Sequence, residues 1–227
     1  PYATPDPDPG KLNAAAEIIS KAKRPMILVG GGAIEAQEEV HALAEMLRAP
    51  VTSNRAGRGI VSSDHELGML YPAAYKLWLD ADAVITIGSR MELQYLRWRC
   101  MPENAPVIRI DVDPKELLRL RADVGILGDA KQTTAALIEA LSSRLGKRNS
   151  RVDEISSAKR AAAAEAEDMQ PQMSYLHAIR DVLPRDGIFV DEVTQVGFAA
   201  WSSYPTYTPR SYITSGHQGT LGYGFPT

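Results

Sequence analysis

The chain has 227 residues, enough for one large domain or for one domain and part of another. An apolar fraction of 44% with 23% charged residues fits a globular core, and a net charge of −3 gives no electrostatic reason to expect nucleic acid or an anionic membrane surface. A single cysteine, Cys100, excludes an internal disulfide framework and a cysteine-built zinc site, and His41, His65, His177 and His217 lack ligand spacing.

The opening "PYATPDPDPGK" is proline-rich and acidic, unlike a signal or transit peptide, and reads as a linker over residues 1–9. No apolar run reaches membrane-spanning length, so a cytoplasmic location without a membrane partner is the default expectation. Leu12, Ala15, Ile18 and Ile19 then recur at helical spacing, and Pro25 ends that stretch. "PMILVGGG" is a continuous apolar run closed by glycines, as a buried parallel strand requires. "AIEAQEEVHALAEMLRA" predicts an amphipathic helix with Val40, Leu43, Ala44 and Leu47 on one face. The alternation continues through "APVTSN" (strand), "YPAAYKLWLDA" (helix), "DAVITIGS" and "APVIRIDVDP" (strands) and "DPKELLRLRA" (helix). In that last helix Asp113 is placed to cap and Pro114 to occupy the first turn. "VGILGDA" (strand) and "AKQTTAALIEALSSRL" (helix) complete the run. Residues 144–171 are charged and alanine-rich and read as a partly helical connector. A second unit follows: "SYLHAIRDVLP" (helix), "DGIFVDE" (strand), "TQVGFAAWSSY" (helix) and "RSYITSG" (strand). The pattern predicts an α/β fold, a Rossmann-like parallel sheet with helices on both faces, followed by an incomplete second α/β unit.

Four places can carry chemistry. Gly31 and Gly32, between a strand and a helix, could admit a phosphate to backbone N–H groups, or simply make a tight turn. The third spaced glycine and the acidic end of the second strand are missing, which argues against classical NAD binding. Asp111 ends a predicted strand, where ligands dock on open sheets, and could accept from a ribose or adenine. Arg90 follows a strand-ending glycine and could clamp a phosphate or stack on a flat ring, although a surface arginine is the commoner outcome. Thr194 and Gln195 open a helix and could seat a diphosphate, or serve as ordinary caps. The closing stretch "SGHQGTLGYGFPT" carries glycines at Gly216, Gly219, Gly222 and Gly224, a spacing that suits backbone against a flat ligand.

Taken in order, "RPMILVGGG", "DADAVITIGSR", "VIRIDVDPKEL", "GDA" and "GTLGYGFPT" resemble the thiamine-diphosphate-dependent enzymes of the acetolactate synthase, pyruvate oxidase and benzoylformate decarboxylase type. The resemblance implies a middle domain over residues 10–143 and the start of the diphosphate-binding domain over residues 172–227. It implies an enzyme, a lyase or transferase, that decarboxylates a 2-oxo acid and ligates the enamine to a carbonyl acceptor. A sibling decarboxylase, an aldehyde lyase, a flavin-dependent oxidase or a noncatalytic ADP- or FAD-binding module are the rival readings. Thiamine diphosphate would be touched by Thr194, Gln195, Gly219 and Thr220, with Leu221 wedged between the cofactor's rings. His217 falls where some relatives place a substrate-facing side chain, and could shuttle protons or be a polar loop residue. Gly31, Gly32, Arg90, Asp111 and Asp129 fall where flavin-binding relatives make contacts, so FAD or ADP is an expectation for the middle domain. "MELQY" after Arg90, and "GML" at Gly68 to Leu70, depart from the flavin-binding pattern.

The family's activating glutamate belongs to a domain before this sequence. Its Gly-Asp-Gly motif, which with a downstream asparagine holds Mg2+, would follow Thr227. The expectation is therefore a truncated second domain, metal ligands outside this chain, and no competence by itself. A homodimer or homotetramer, and a regulatory subunit, are implied by analogy.

Overall fold

The computed structural model describes residues 4–227 except Asn54, Arg99, Arg121, His217 and Gln218. Six parallel strands build the first unit: β1 Pro25–Val29, β2 Val51–Ser53, β3 Gly68–Met69, β4 Ala83–Ile87, β5 Val107–Asp111 and β6 Val124–Leu127. Their order across the sheet is β3-β2-β1-β4-β5-β6. The register pairs Met26 with Val84, Val84 with Val107, and Ile108 with Val124. Every residue of β1 and β4 is buried, which is why these strands are unbroken apolar runs rather than alternating ones.

Helix α1 (Pro9–Lys21) starts at Pro9 and is capped by Asp8, whose side chain accepts from Gly10 and Lys11 N–H. Helix α2 (Gln37–Leu47) buries the four predicted residues, but Gly31–Ala36 before it winds as a 3-10 turn rather than as its first turns. Helix α3 (Tyr71–Trp78), α4 (Glu92–Leu96) and α5 (Pro114–Arg119) follow, then α6 (Ala130–Ser142). Helix α2 packs with α6 and α6 with α1, while α3 packs on β2 and α5 on β5 and β6.

The segment read as a partly helical connector contains α7 (Val152–Ala166). Ile155 and Ala158 belong to the core of the first unit, and Ala166 enters the core of the second. The second unit comprises α8 (Gln172–Val182), β7 (Phe189–Val190), α9 (Gln195–Ser203) and β8 (Tyr212–Ile213). Strands β7 and β8 pair in parallel and are shorter than the apolar runs suggest. Phe189 stacks on Tyr204 at 4.1 Å and on Tyr212 at 5.5 Å between ring centroids.

Candidate functional site: a crevice between the units and a glycine-rich loop

Strand order reverses between β1 and β4, and the crevice beyond their carboxyl ends is where open α/β sheets take ligands. The glycines there serve chain-to-chain contact first. A Cβ on Gly30 would lie 2.2 Å from the Gly88 carbonyl oxygen, and one on Gly88 (φ +55°) would lie 2.5 Å from the Gly32 carbonyl carbon. Gly30 N–H donates to the Ile87 carbonyl (3.0 Å) and Gly32 N–H to the Gly88 carbonyl (3.2 Å). Gly32 is therefore needed by the turn itself, and both Gly31 and Gly32 are exposed and line a cavity of about 570 Å³. That cavity is walled by the first unit through Arg55 and Arg90 and by the second through Tyr212 and Thr214. A smaller cavity of about 210 Å³ shares Gly32, Gly88 and Arg90 with it and reaches Asp111. The structure thus gathers Gly31, Gly32, Arg90 and Asp111 along the ends of β1, β4 and β5, within the size range of small-molecule sites.

Arg90 is exposed and stands 3.7 Å from Glu116 and 3.9 Å from Glu92. Asp111 accepts from Asp113 N–H at 3.0 Å. Burial pushes its carboxyl above the ordinary value, against that backbone bond and the nearby Arg109. Asp113 caps α5 as expected, accepting from Lys115 N–H. Asp129 lines neither cavity: its carboxylate caps α6, accepting from Lys131 N–H at 2.9 Å and Gln132 N–H at 3.0 Å. The sequence reading passed over Arg109, wholly buried on β5, which donates to the Ser89 carbonyl. A lone arginine inside "VIRID" was its only signal.

In the second unit, Thr194 Oγ1 accepts from Gly197 N–H at 3.0 Å and caps α9, leaving Thr194 and Gln195 exposed at the helix start. Glu192 joins this end to the glycine-rich stretch. Its Oε2 accepts from Gly224 N–H at 2.9 Å and its Oε1 from Val193 N–H at 2.8 Å. The Gly224 amide foremost, with that of Val193, holds the Glu192 carboxyl below its ordinary value. Gly219 (φ +62°) and Gly222 (φ +79°) adopt left-handed backbone with open space where a Cβ would be. Thr220 is exposed, and Leu221 is 72% exposed. Thr194, Gln195, Gly219, Thr220 and Leu221 line neither cavity. His217 lies outside the described residues.

Two further residues went unread in the sequence. Asp191, at the end of β7, accepts from Trp201 Nε1 (2.5 Å), Tyr212 OH (2.7 Å) and Tyr223 OH. Arg58, from the first unit, is buried and donates to the carbonyls of Ala200 (3.1 Å) and Tyr204 at the end of α9. Among the described residues no group of three or more His, Cys, Asp or Glu side chains could hold a metal. No described helix is long and apolar enough to cross a membrane.

Residues 12–137, more than half of the chain, match the model of the thiamine pyrophosphate enzyme central domain. The chain belongs to the thiamine pyrophosphate enzyme family. It is 32% identical over 224 residues to the probable 2-ketoarginine decarboxylase AruI of Pseudomonas aeruginosa, covering 95% of this chain and 40% of that protein. It is 32% identical over 248 residues to a probable acetolactate synthase large subunit of Methanococcus aeolicus, covering 96% and 41%. It is 31% identical over 260 residues to a sulfoacetaldehyde acetyltransferase of Castellaniella defragrans, covering 95% and 43%. The chain therefore spans about two fifths of the length of these family members. An X-ray structure from Mycobacterium smegmatis, described as a thiamin diphosphate-dependent enzyme, shares the fold with a TM-score of 0.70 at 22% identity, over 97% of this chain and 44% of its own.

Proposed function

We propose that this chain supplies the middle domain and the opening of the diphosphate-binding domain of an enzyme that decarboxylates a 2-oxo acid and ligates the product to a carbonyl acceptor. An acetolactate-synthase-like reaction on pyruvate is the reading we favour, supported by the synthase large subunits among its relatives. The observation that carries it is the pairing of the α9 start with the glycine-rich stretch through Glu192 and Gly224. Thiamine diphosphate, when bound, supplies the electron sink for loss of carbon dioxide.

The residues present fit that cofactor. The N-terminal N–H groups of α9, beside Thr194 and Gln195, suit a diphosphate. Gly219 and Gly222 offer bare backbone, and Leu221 an unpartnered aliphatic side chain, to a flat ring. Mg2+ would neutralise the diphosphate from ligands outside this chain. His217 would bind a substrate carboxylate or shuttle protons.

The crevice at Gly31, Arg90 and Asp111 supports a second site on the same chain, for the nucleotide portion of FAD or ADP. Its volume admits a nucleotide, and Arg90 is placed to meet a phosphate while Asp111 accepts from a hydroxyl or amino group. A cytoplasmic homodimer or homotetramer, with a regulatory subunit, completes the proposal.

The test is titration calorimetry of the natural full-length protein with thiamine diphosphate and Mg2+, followed by carbon dioxide release from pyruvate. Saturable binding with release supports the reading; no binding removes it. A thermal-shift series with ADP and FAD separates the nucleotide crevice from the diphosphate seat.

A further inference from the structure

One buried side chain stands between the two halves of the proposed cofactor seat. Asp191 directly follows β7, three residues before Thr194. Its carboxylate takes hydrogen bonds from three elements at once: Trp201 of α9, Tyr212 of β8, and Tyr223, two residues beyond Leu221. Asp191 is only 3% exposed. A carboxylate so buried is costly unless its oxygens are met by donors, and here each donor comes from a segment that leads into or out of the seat.

We infer that Asp191 is a positioning residue for thiamine diphosphate, setting the glycine-rich stretch at a fixed distance from the start of α9. The inference rests on the reading given under Proposed function. Asp191 touches no cofactor itself; it acts through Tyr223 on Leu221 and through Trp201 on the helix that begins at Gln195. Burial foremost, with the Asp191 carboxylate adding, pushes the Tyr212 and Tyr223 phenols far above their ordinary values. Both phenols therefore remain donors throughout the physiological range. Glu192 fastens the same stretch by Gly224 N–H, so Asp191 and Glu192 grip it at adjacent residues. A carboxylate that served only to hold β7 against β8 would need Tyr212 alone.

The experiment compares wild type, Asp191→Asn and Tyr223→Phe in the natural full-length protein, measuring the Kd of thiamine diphosphate by calorimetry at saturating Mg2+ and the melting temperature without cofactor. Asp191→Asn turns one acceptor edge into a donor facing donors. Tyr223→Phe removes the bond from the glycine-rich stretch to Asp191, together with the longer 3.5 Å contact of the same hydroxyl with the Ile213 carbonyl. We expect the Kd to rise on the order of tenfold in Tyr223→Phe, the loss of one hydrogen bond to a charged group. We expect a larger rise in Asp191→Asn. If Asp191→Asn does not fold, Tyr223→Phe decides alone. A lowered melting temperature with an unchanged Kd in Tyr223→Phe overturns the inference, because it leaves Asp191 a purely structural role. Absence of binding by the wild type instead removes the functional reading on which the inference stands.

Discussion

The guanidinium carbon of Arg58 lies 3.8 Å from the ring centroid of Tyr212, the same tyrosine whose hydroxyl donates to Asp191. A residue of the first unit is thereby clasped between the end of α9 and a strand of the second. Burial lowers the Arg58 guanidinium from its ordinary value, against the opposing influence of Tyr212 and Asp191. Replacing Arg58 by Met keeps volume but strips the donors from the Ala200 and Tyr204 carbonyls. We expect a loss of about 3 kcal/mol in urea unfolding, and only partial recovery in Arg58→Lys, which keeps the charge without the planar fork. An unchanged midpoint in Arg58→Met would show that the clasp contributes nothing.

Gly88→Ala tests the interlocked glycines. The new Cβ would meet the Gly32 carbonyl carbon at 2.5 Å, on a residue whose φ is +55°. Backbone strain and overpacking together predict about 3 kcal/mol of destabilisation. Gly146→Ala, which meets no atom within 4 Å, should stay within about 0.5 kcal/mol. Equal unfolding midpoints for the two variants would refute this account of the turn.

Leu221→Ala separates stability from function. Because the side chain is 72% exposed, truncation should leave the melting temperature within about two degrees. If Leu221 takes the place proposed for it between the cofactor's rings, turnover by the full-length enzyme should nevertheless fall at least tenfold. A variant with normal turnover would remove Leu221 from the site.

The pH dependence at Glu192 follows from its lowered carboxyl. A group whose folded value is depressed adds stability above the ordinary carboxylate range and loses it as pH falls through the folded value. Amide exchange at Gly224 should therefore accelerate on acidification below about pH 4, beyond the change in intrinsic exchange chemistry. In Glu192→Gln that additional step should vanish. Persistence of the step in the variant would assign it to another carboxylate.

Asp111 carries the opposite sign. Its folded value is raised, so its contribution is present at low pH and is lost as pH rises through that value. Asp111→Asn should raise the melting temperature at pH 7 and leave it unchanged near pH 3. If nucleotide binding is lost at the same time, the carboxylate is maintained at a cost to the fold for the sake of the crevice.

The central strands were legible because β1 and β4 are near-continuous apolar runs between turn residues, a pattern that burial on both faces imposes, and β5 follows it apart from Arg109 and Asp111. Gly68–Met69 is too short to leave a pattern, and α7 was legible only as partial helix because its buried stripe, Ile155, Ala158 and Ala166, is largely alanine in a charged background. The site was legible in residue type and order but not in allegiance. Asp129 and Thr194 look the same in sequence whether they face a ligand or a helix N-terminus, and here both side chains cap helices. Gly30, Gly32 and Gly88 announce close approach, but only coordinates show that the approaching partner is the protein's own backbone. Asp191 and Arg58 left the least trace, because their partners lie up to 32 and 146 residues away.

That last separation has a consequence for the order of events during synthesis. The six strands of the first sheet all lie between residues 25 and 127, so they can pair while the second unit is still being translated. Arg58 has no α9 to close over it at that stage, and its guanidinium remains hydrated on the surface of a nascent domain. The two-residue strands β7 and β8 are too short to hold themselves together. The closing quarter of the chain, from α8 onward, is therefore expected to condense on the first sheet, with Arg58 buried only once α9 is in place.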